Sequence, residues 1–540
     1  MRAELILTGG RVHPVVAGAP DAEALAVAGG RILALGTARE VAGLAGAATR
    51  VIDVAGGLVL PAFQDAHAHP LHGGLASLRC NLYETTTPEA HLDEVRRYAR
   101  AHPEREWVVG AGWSMDDFGG AMPSRRLLDD AAPGRPVVLE TRDGHTAWVS
   151  TRALELAGIG PGTPDPPGGV IDREPDGHPA GTLQELAIRL VVRVVPEATA
   201  AEWDEALAGM QRALHAFGIT AVQEAQADPE LVEAYLRAAR AGTLTLRVEG
   251  NLPWDPARGD AQLAELVERR AGVDAPRVRM RGAKLFQDGV AENFTAGMLR
   301  PYRDGSGAIT ANTGLSIYPP DDLDRIVAGL DREGFQVHVH TIGDRAVREA
   351  LDALERAAAA NGARGARHHL AHVQFADPTD LARFARLGVV ANVTPLWAVR
   401  SGYVEDLTLP FVDPVSAATL YPFGALHAAG ARLAFGSDWP VSTPDPLQQL
   451  EVAVTRCPPG EPEAEPLDPA QALDLRAAIE AATAGAAFVN GLDGETGTLE
   501  VGKLADLVVL DRDLLGPDAP APTSARVVLT LVEGAVVHEA

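Results

Sequence analysis

The sequence predicts an α/β chain: a parallel sheet of repeated αβ units, barrel or doubly wound, with a small β-domain formed by both chain ends. Three observations predict it. Both ends carry short apolar runs broken by glycine pairs. The middle repeats a helix followed by a short strand. Histidines, a lysine and an aspartate recur just past the strands of those units.

The N-terminal runs are "AELILTGGRVHP", "ALAVAGGRILALG" and "TRVIDVAGGLVLP". The C-terminal runs, "TGTLEVGKLADLVVLDRD" and "ARVVLTLVEGAVVHEA", have the same texture. Chain termini often lie close together, so residues 1–57 and 486–540 are expected to pair into one small β-domain. Between them, residues 58–485 form the expected barrel. Its units include "EALAGMQRALHAFGITAVQEA", "DDLDRIVAGLDREGFQVHVHTIGD", "DPTDLARFARLGVVANVTP" and "FGALHAAGARLAFGSDWP". Each joins a helical apolar period to a glycine and then a short apolar strand. Repeated αβ units indicate a parallel sheet, either a barrel or a doubly wound sheet. No GxGxxG loop follows the first strand, which disfavours a dinucleotide fold. One stretch, about 72–196, interrupts the repeat and reads as long and irregular, with proline clusters such as "PGTPDPPGG". On a barrel such an insertion is expected to form a lid or pocket wall at the active-site face, or else a purely structural subdomain.

Bulk properties narrow the function. The 540-residue chain carries a formal net charge of -26, which opposes binding to nucleic acid or to anionic membrane surfaces. Two cysteines far apart, Cys80 and Cys457, give no CxxC metal site or disulfide framework and fit a reducing compartment. The N-terminus lacks a signal-peptide apolar region and no run is long enough to span a bilayer, so a cytoplasmic protein is expected.

The chemistry sits at strand ends, where barrel enzymes build their sites. "LVLPAFQDAHAHP" ends in His67 and His69. Residues i and i+2 of a strand share a face, so both imidazoles can aim at one point, and imidazole suits zinc and similar ions. Lys284, His340, His372 and Asp438 occupy equivalent positions after later apolar runs. A lysine directed into a barrel needs neutralising. It can be carboxylated by carbon dioxide to bridge two cations, or it can pair with Asp288 or Glu292. Asp438 can move a proton between water and a leaving group, or can cap a helix. His338 lies one step deeper than His340, and His368 and His369 precede His372; these three read as packing or supporting groups.

The ordered set "DAHAHP", "KLFQDG", "VHTIGD", "LAHVQ" and "GSDWPV" resembles the amidohydrolase superfamily of metal-dependent hydrolases. The resemblance covers nearly the whole chain and implies a (β/α)8 TIM-like barrel with a small composite β-sandwich formed by both chain ends. "GAGWSMDDFGG", "PVVLETRDGHTAWVS", "GTLQELA", "KLFQDGVAENFTAGMLRPY" and "GSDWPVSTPDPL" are similar to a subgroup that includes N-substituted formamide deformylases. Ala62 replaces a common glycine and Ala371 a frequent acidic residue, and neither change removes a ligand. The resemblance implies that His67, His69, Lys284, His340, His372 and Asp438 surround one or two divalent ions, zinc being expected, with Lys284 carboxylated if two are bound. It implies a homodimer as a family-level expectation.

The reaction expected is hydrolysis of a carbon–nitrogen bond in a linear amide or formamide, with Asp438 as general base and then acid. Hydrolysis of a cyclic amide or imide, or deamination, is the alternative on the same centre; a non-catalytic binding protein would be expected to lack ligands. Trp113, His145, Glu185 and Trp397 are the expected substrate contacts. Trp397 would supply an aromatic wall, and Glu185 would lie near the metal or partner a basic residue. Three have a plainer reading: Trp113 as packing, His145 as a turn cap, Glu185 as an exposed helical acid.

Overall fold

Eight short apolar runs from the middle of the chain pair into a single parallel sheet. In the computed structural model, which describes all 540 residues, they are β1 (Phe63–Ala68), β2 (Ile219–Glu224), β3 (Arg247–Pro253) and β4 (Val278–Phe286). β5 (Gln336–Thr341), β6 (His369–His372), β7 (Val390–Val393) and β8 (Leu433–Phe435) follow. They lie in chain order with every neighbouring pair parallel, the arrangement of a (β/α)8 barrel. The strands are too short to carry long hydrophobic alternations; they are buried on both sides by helices and by the barrel interior.

The crossover helices form for local reasons. Thr199 and Glu202 make a reciprocal cap at the start of the helix Ala200–Ala216. Gly388, at φ 67°, ends the helix Leu381–Leu387 in the left-handed conformation that glycine adopts without strain. The inner faces of the helices, through Leu207, Leu231 and Leu351, pack on Val222, Val248 and Leu370 of the strands.

No regular ladder joins β1 to β8. The seam closes just beyond β8 instead. The backbone N–H of Asp438 donates to the carbonyl of His67 at 2.8 Å, and that of His69 to Trp439 at 2.7 Å. Buried Asp65 locks the join, accepting from the Ser437 hydroxyl at 2.5 Å and from the N–H groups of Ser437 and His67, each at 3.1 Å. A Cβ on Gly436 would lie 2.5 Å from the Cβ of His67, so only glycine permits this approach.

The two chain ends form one hydrogen-bonded sheet of eight strands. Leu25 and Leu529, which lie strands apart in it, share one buried core with Leu7, Val59 and Leu507. The sheet therefore curls over its own core. Its limits differ from the expected ones. Leu58–Pro61 pairs with Leu507–Leu510 and with Arg11–Val12, so it belongs to this sheet and not to the barrel. At the other end, the helix Ala486–Val489 packs against β1, and Asn490 donates to Gln64 at 3.1 Å, so the barrel continues past residue 486.

The insertion is also more regular than its composition suggests. It holds a six-stranded mixed sheet running from Cys80 to Glu185, flanked by the helices Pro88–Ala101, Arg125–Ala131 and Thr151–Ala157. Val137 and Leu139 face one core and Val138 the other, as strand alternation requires. The proline cluster is only the loop before the strand Gly169–Arg173. Both cysteines are buried and unpaired, and no helix is long and apolar enough to cross a membrane.

Arg247, at the start of β3, fastens the barrel to the terminal sheet through Asp506 and through Glu533 at 2.6 Å. Replacing one partner of a buried pair leaves the other uncompensated. Arg247→Ala is expected to cost about 3–5 kcal/mol, read as a fall in the thermal midpoint. Glu533→Ala, at a more exposed position, should shift it less; equal midpoints for all three proteins would refute the fastening role.

Candidate metal centre

β1 presents His67, and the chain turns after Ala68 to place His69 at the start of the helix Pro70–Ala76. The seam brings Asp438 against both. Its Oδ1 lies 3.3 Å from Nε2 of His67 and 3.5 Å from Nε2 of His69. Asp438 adopts φ 55°, a sparsely populated conformation for an aspartate that the surrounding contacts impose. His372 likewise has φ 72°. That departure from strand geometry matters, because plain alternation would put His369 and His372 on opposite faces. Its ring lies 4.8 Å from those of both His67 and His340.

Lys284 lies beneath this group, 1 % exposed, with Nζ 3.4 Å from Nε2 of His67 and 3.5 Å from Nε2 of His338. It makes no ion pair with Asp288 or Glu292, so the simple pairing open at the sequence level is absent. The Asp288 carboxylate instead accepts the N–H groups of Gly297, Ile342 and Gly343 at 2.8–3.0 Å. His338 contacts Nδ1 of His67 at 2.9 Å, and its ring lies 4.0 Å from that of His369, tilted by 38°. His368 points away, bonded to the N–H of Val337 and to Asp331.

The donor set fits a divalent ion. Three histidines are each held through one nitrogen: His67 through Nδ1 to His338, His340 through Nε2 to the Gly289 carbonyl at 3.2 Å, and His372 through Nδ1 to Thr394 at 3.2 Å. Such outer contacts fix the tautomer and present the remaining lone pair to a cation. Burial holds His67, His338, His340, His369 and His372 well below the ordinary imidazole range, and brings His69 to about 4. Neutral imidazoles are ligands; protonated ones are not. Burial also draws Lys284 down to about 7 against the opposing charge of Asp438.

The four expected substrate contacts separate. Trp113 is not at the site: it is fully buried in the insertion, packs on Trp148 and donates its indole N–H to Leu139 at 2.8 Å. Its sequence, "GAGWSMDD", marks the end of a strand of the inserted sheet; parity alone would put the ring on the face of Val109, and the irregularity at Gly112, φ 112°, returns it to the core that holds Val108. Trp397 does reach the centre, lying flat on His372 at 4.8 Å with planes 7° apart. His145 arrives from the insertion, its ring 5.8 Å from that of His340. Glu185 is its partner, at 2.8 Å, and is the end of a strand, not an exposed helical residue. Burial disfavours charge on His145, but Glu185 outweighs it and raises the pKa to about 10.

Two residues went unread in the sequence. Asp65 has the same parity as His67, so the signal was present in "QDAHAH". Glu224 closes β2 as other polar residues close their strands, and its Oε1 lies 3.8 Å from Nδ1 of His69. Burial lifts both carboxyls, Asp65 to about 7 and Glu224 to about 8.

The profile of the amidohydrolase family matches residues 50–538. The chain is similar to the protein LONG AFTER FAR-RED 3 of Arabidopsis thaliana, 31 % identical over 98 % of this chain and 91 % of that one. It is similar to an N-substituted formamide deformylase of Arthrobacter pascens, 28 % identical over 99 % and 98 % of the two chains. Its fold matches that of an uncharacterised metal-dependent hydrolase from Pyrococcus horikoshii OT3, with a TM-score of 0.74 at 24 % identity over 99 % and 100 %.

The two tryptophans should respond differently to truncation. Trp113→Ala removes a core ring and is expected to destabilise the insertion by about 3–5 kcal/mol. Trp397→Ala should leave the thermal midpoint nearly unchanged and disturb ligand binding at the centre. The opposite pattern in thermal unfolding would overturn these placements.

Proposed function

The chain belongs to the amidohydrolase family, and from that premise we propose that it hydrolyses the carbon–nitrogen bond of a linear N-substituted amide or formamide. The observation that carries this reading is the convergence of His67, His69 and Asp438 at the open end of the barrel, with Asp438 Oδ1 held 3.3–3.5 Å from two imidazole nitrogens. The similarity to a formamide deformylase along nearly the whole chain favours a linear amide over a cyclic one.

His67, His69, His340, His372 and Asp438 would hold the ion, zinc being the one that suits this donor set, with Lys284 as a further ligand. A bound ion of this kind supplies a Lewis acid and brings the pKa of water from about 15.7 toward ~7. The protein's own part is proton movement and positioning. Asp438 Oδ1 takes a proton from the attacking water and returns it to the nitrogen of the departing amine, leaving formate or another carboxylate. Trp397 forms one wall against His372. His145, held by Glu185, faces the substrate from the insertion. Lys284 suits carboxylation: its buried amine is easily deprotonated, and the neutral nitrogen can bond to the carbon of carbon dioxide with loss of a proton.

A panel of N-formyl and N-acyl amines, incubated with zinc-loaded protein and with a chelated control, tests the reading. Amine release that disappears on chelation is expected. Silence across the panel would overturn the linear-amide reading and direct attention to cyclic amides and deamination. Asp438→Asn is expected to lower kcat by about 10²–10⁴-fold while the protein still binds metal; near-normal turnover would refute its proton-transfer role. Lys284→Ala should reduce bound metal, measured by elemental analysis, and unchanged content would exclude Lys284 as a ligand.

A further inference from the structure

Next to the main centre, His69 turns its other nitrogen toward a second group of donors. Nδ1 of His69 lies 3.8 Å from Oε1 of Glu224. A ring nitrogen of His72 completes a set whose donor atoms lie within 4.8 Å of one another. His69 and His72 are three residues apart across the first turn of the helix Pro70–Ala76, which places them side by side.

Two of these groups are unsatisfied. Glu224 is 0 % exposed; the Tyr235 hydroxyl donates to its Oε2 at 2.9 Å, while its Oε1 has no hydrogen-bond partner. Tyr235 thus fixes the carboxylate with the bare oxygen directed at His69. Nδ1 of His72 is buried and without a partner as well. Bare buried polar atoms are costly and rare, and two of them within one set of donors mark a place for an ion or a water. Burial and the charge of Arg79 keep His72 neutral, as a ligand must be, while Asp228 and Glu230 lie close enough to favour a nearby cation. Two imidazoles and a carboxylate are a zinc-type donor set.

We infer that His69, His72 and Glu224 form a second cation site, selective for zinc-like divalent ions, that competes with the main centre for His69. The competition follows from the ring. A neutral imidazole has one lone pair, its other nitrogen carrying a proton. His69 cannot serve Asp438's side through Nε2 and Glu224's side through Nδ1 without losing both protons. Filling the second site therefore draws His69 from the main centre, and excess zinc slows turnover. The inhibitory part rests on the reading of His69 as a ligand of the main centre; the occupancy part does not.

Zinc uptake by the full-length protein, measured by equilibrium dialysis and elemental analysis across a zinc titration, tests this without any substrate. The wild type is expected to take up one equivalent more than His72→Ala or Glu224→Gln, with the tightest-bound zinc the same in all three. His72→Asn serves as a second variant if His72→Ala lowers the thermal midpoint. Equal uptake by wild type and variants would overturn the site, leaving a water there. Loss of the tightest-bound zinc in Glu224→Gln would also overturn it, assigning Glu224 to orientation of His69 alone. With a substrate from the amide panel, excess zinc should inhibit the wild type several-fold and spare His72→Ala. Equal inhibition of both would refute the competition for His69.

Discussion

The join between the first and last barrel strands is the constraint on which the site depends. Regular pairing does not close it; the N–H of Asp438 on the His67 carbonyl and the N–H of His69 on Trp439 do. These bonds close the barrel and bring a carboxylate from one end of the sheet against two imidazoles from the other. Asp65 strengthens the join from below through Ser437, and Gly436 allows the backbones to meet. Fold closure and site assembly are thus one event here. That explains why His372 and Asp438 keep strained backbone angles: the closed barrel over-determines them.

Burial then sets the chemistry. Six histidines and a lysine crowd the upper barrel, and a charge on any one of them is opposed by desolvation and by its neighbours. The result is a cluster of imidazoles kept neutral, three of them held by an outer contact. His145 follows the opposite logic. It enters from the insertion with its own carboxylate, Glu185, and that pair holds a charge at the edge of an otherwise neutral cluster. The insertion can deliver this pair because it is a folded sheet with a core on each face, anchored by Trp113 and Trp148.

The family assignment and the geometry answer different questions. The match across residues 50–538 gives the chain its family. It says nothing of Glu224 and His72, whose bare atoms become visible only when β2 and the helix after His69 are placed side by side.

Much was legible in the sequence because strand parity and strand ends are local. The two-residue spacing of His67 and His69 and the repeated αβ units determined a parallel sheet and the strand ends at which polar residues gather. What stayed hidden was non-local. The composite sheet takes in Leu58–Pro61 because its partners come from the far end of the chain, and the helix at Ala486–Val489 stays with the barrel because it packs on β1. Proline-rich composition suggested an irregular stretch where the chain pairs into six strands, since ladder partners are not written in local composition. Trp113 and Trp397 looked alike as aromatic residues near motifs. Only the tertiary structure decided that one fills the insertion's core and the other lies on His372, because which face a side chain presents depends on what packs against its strand.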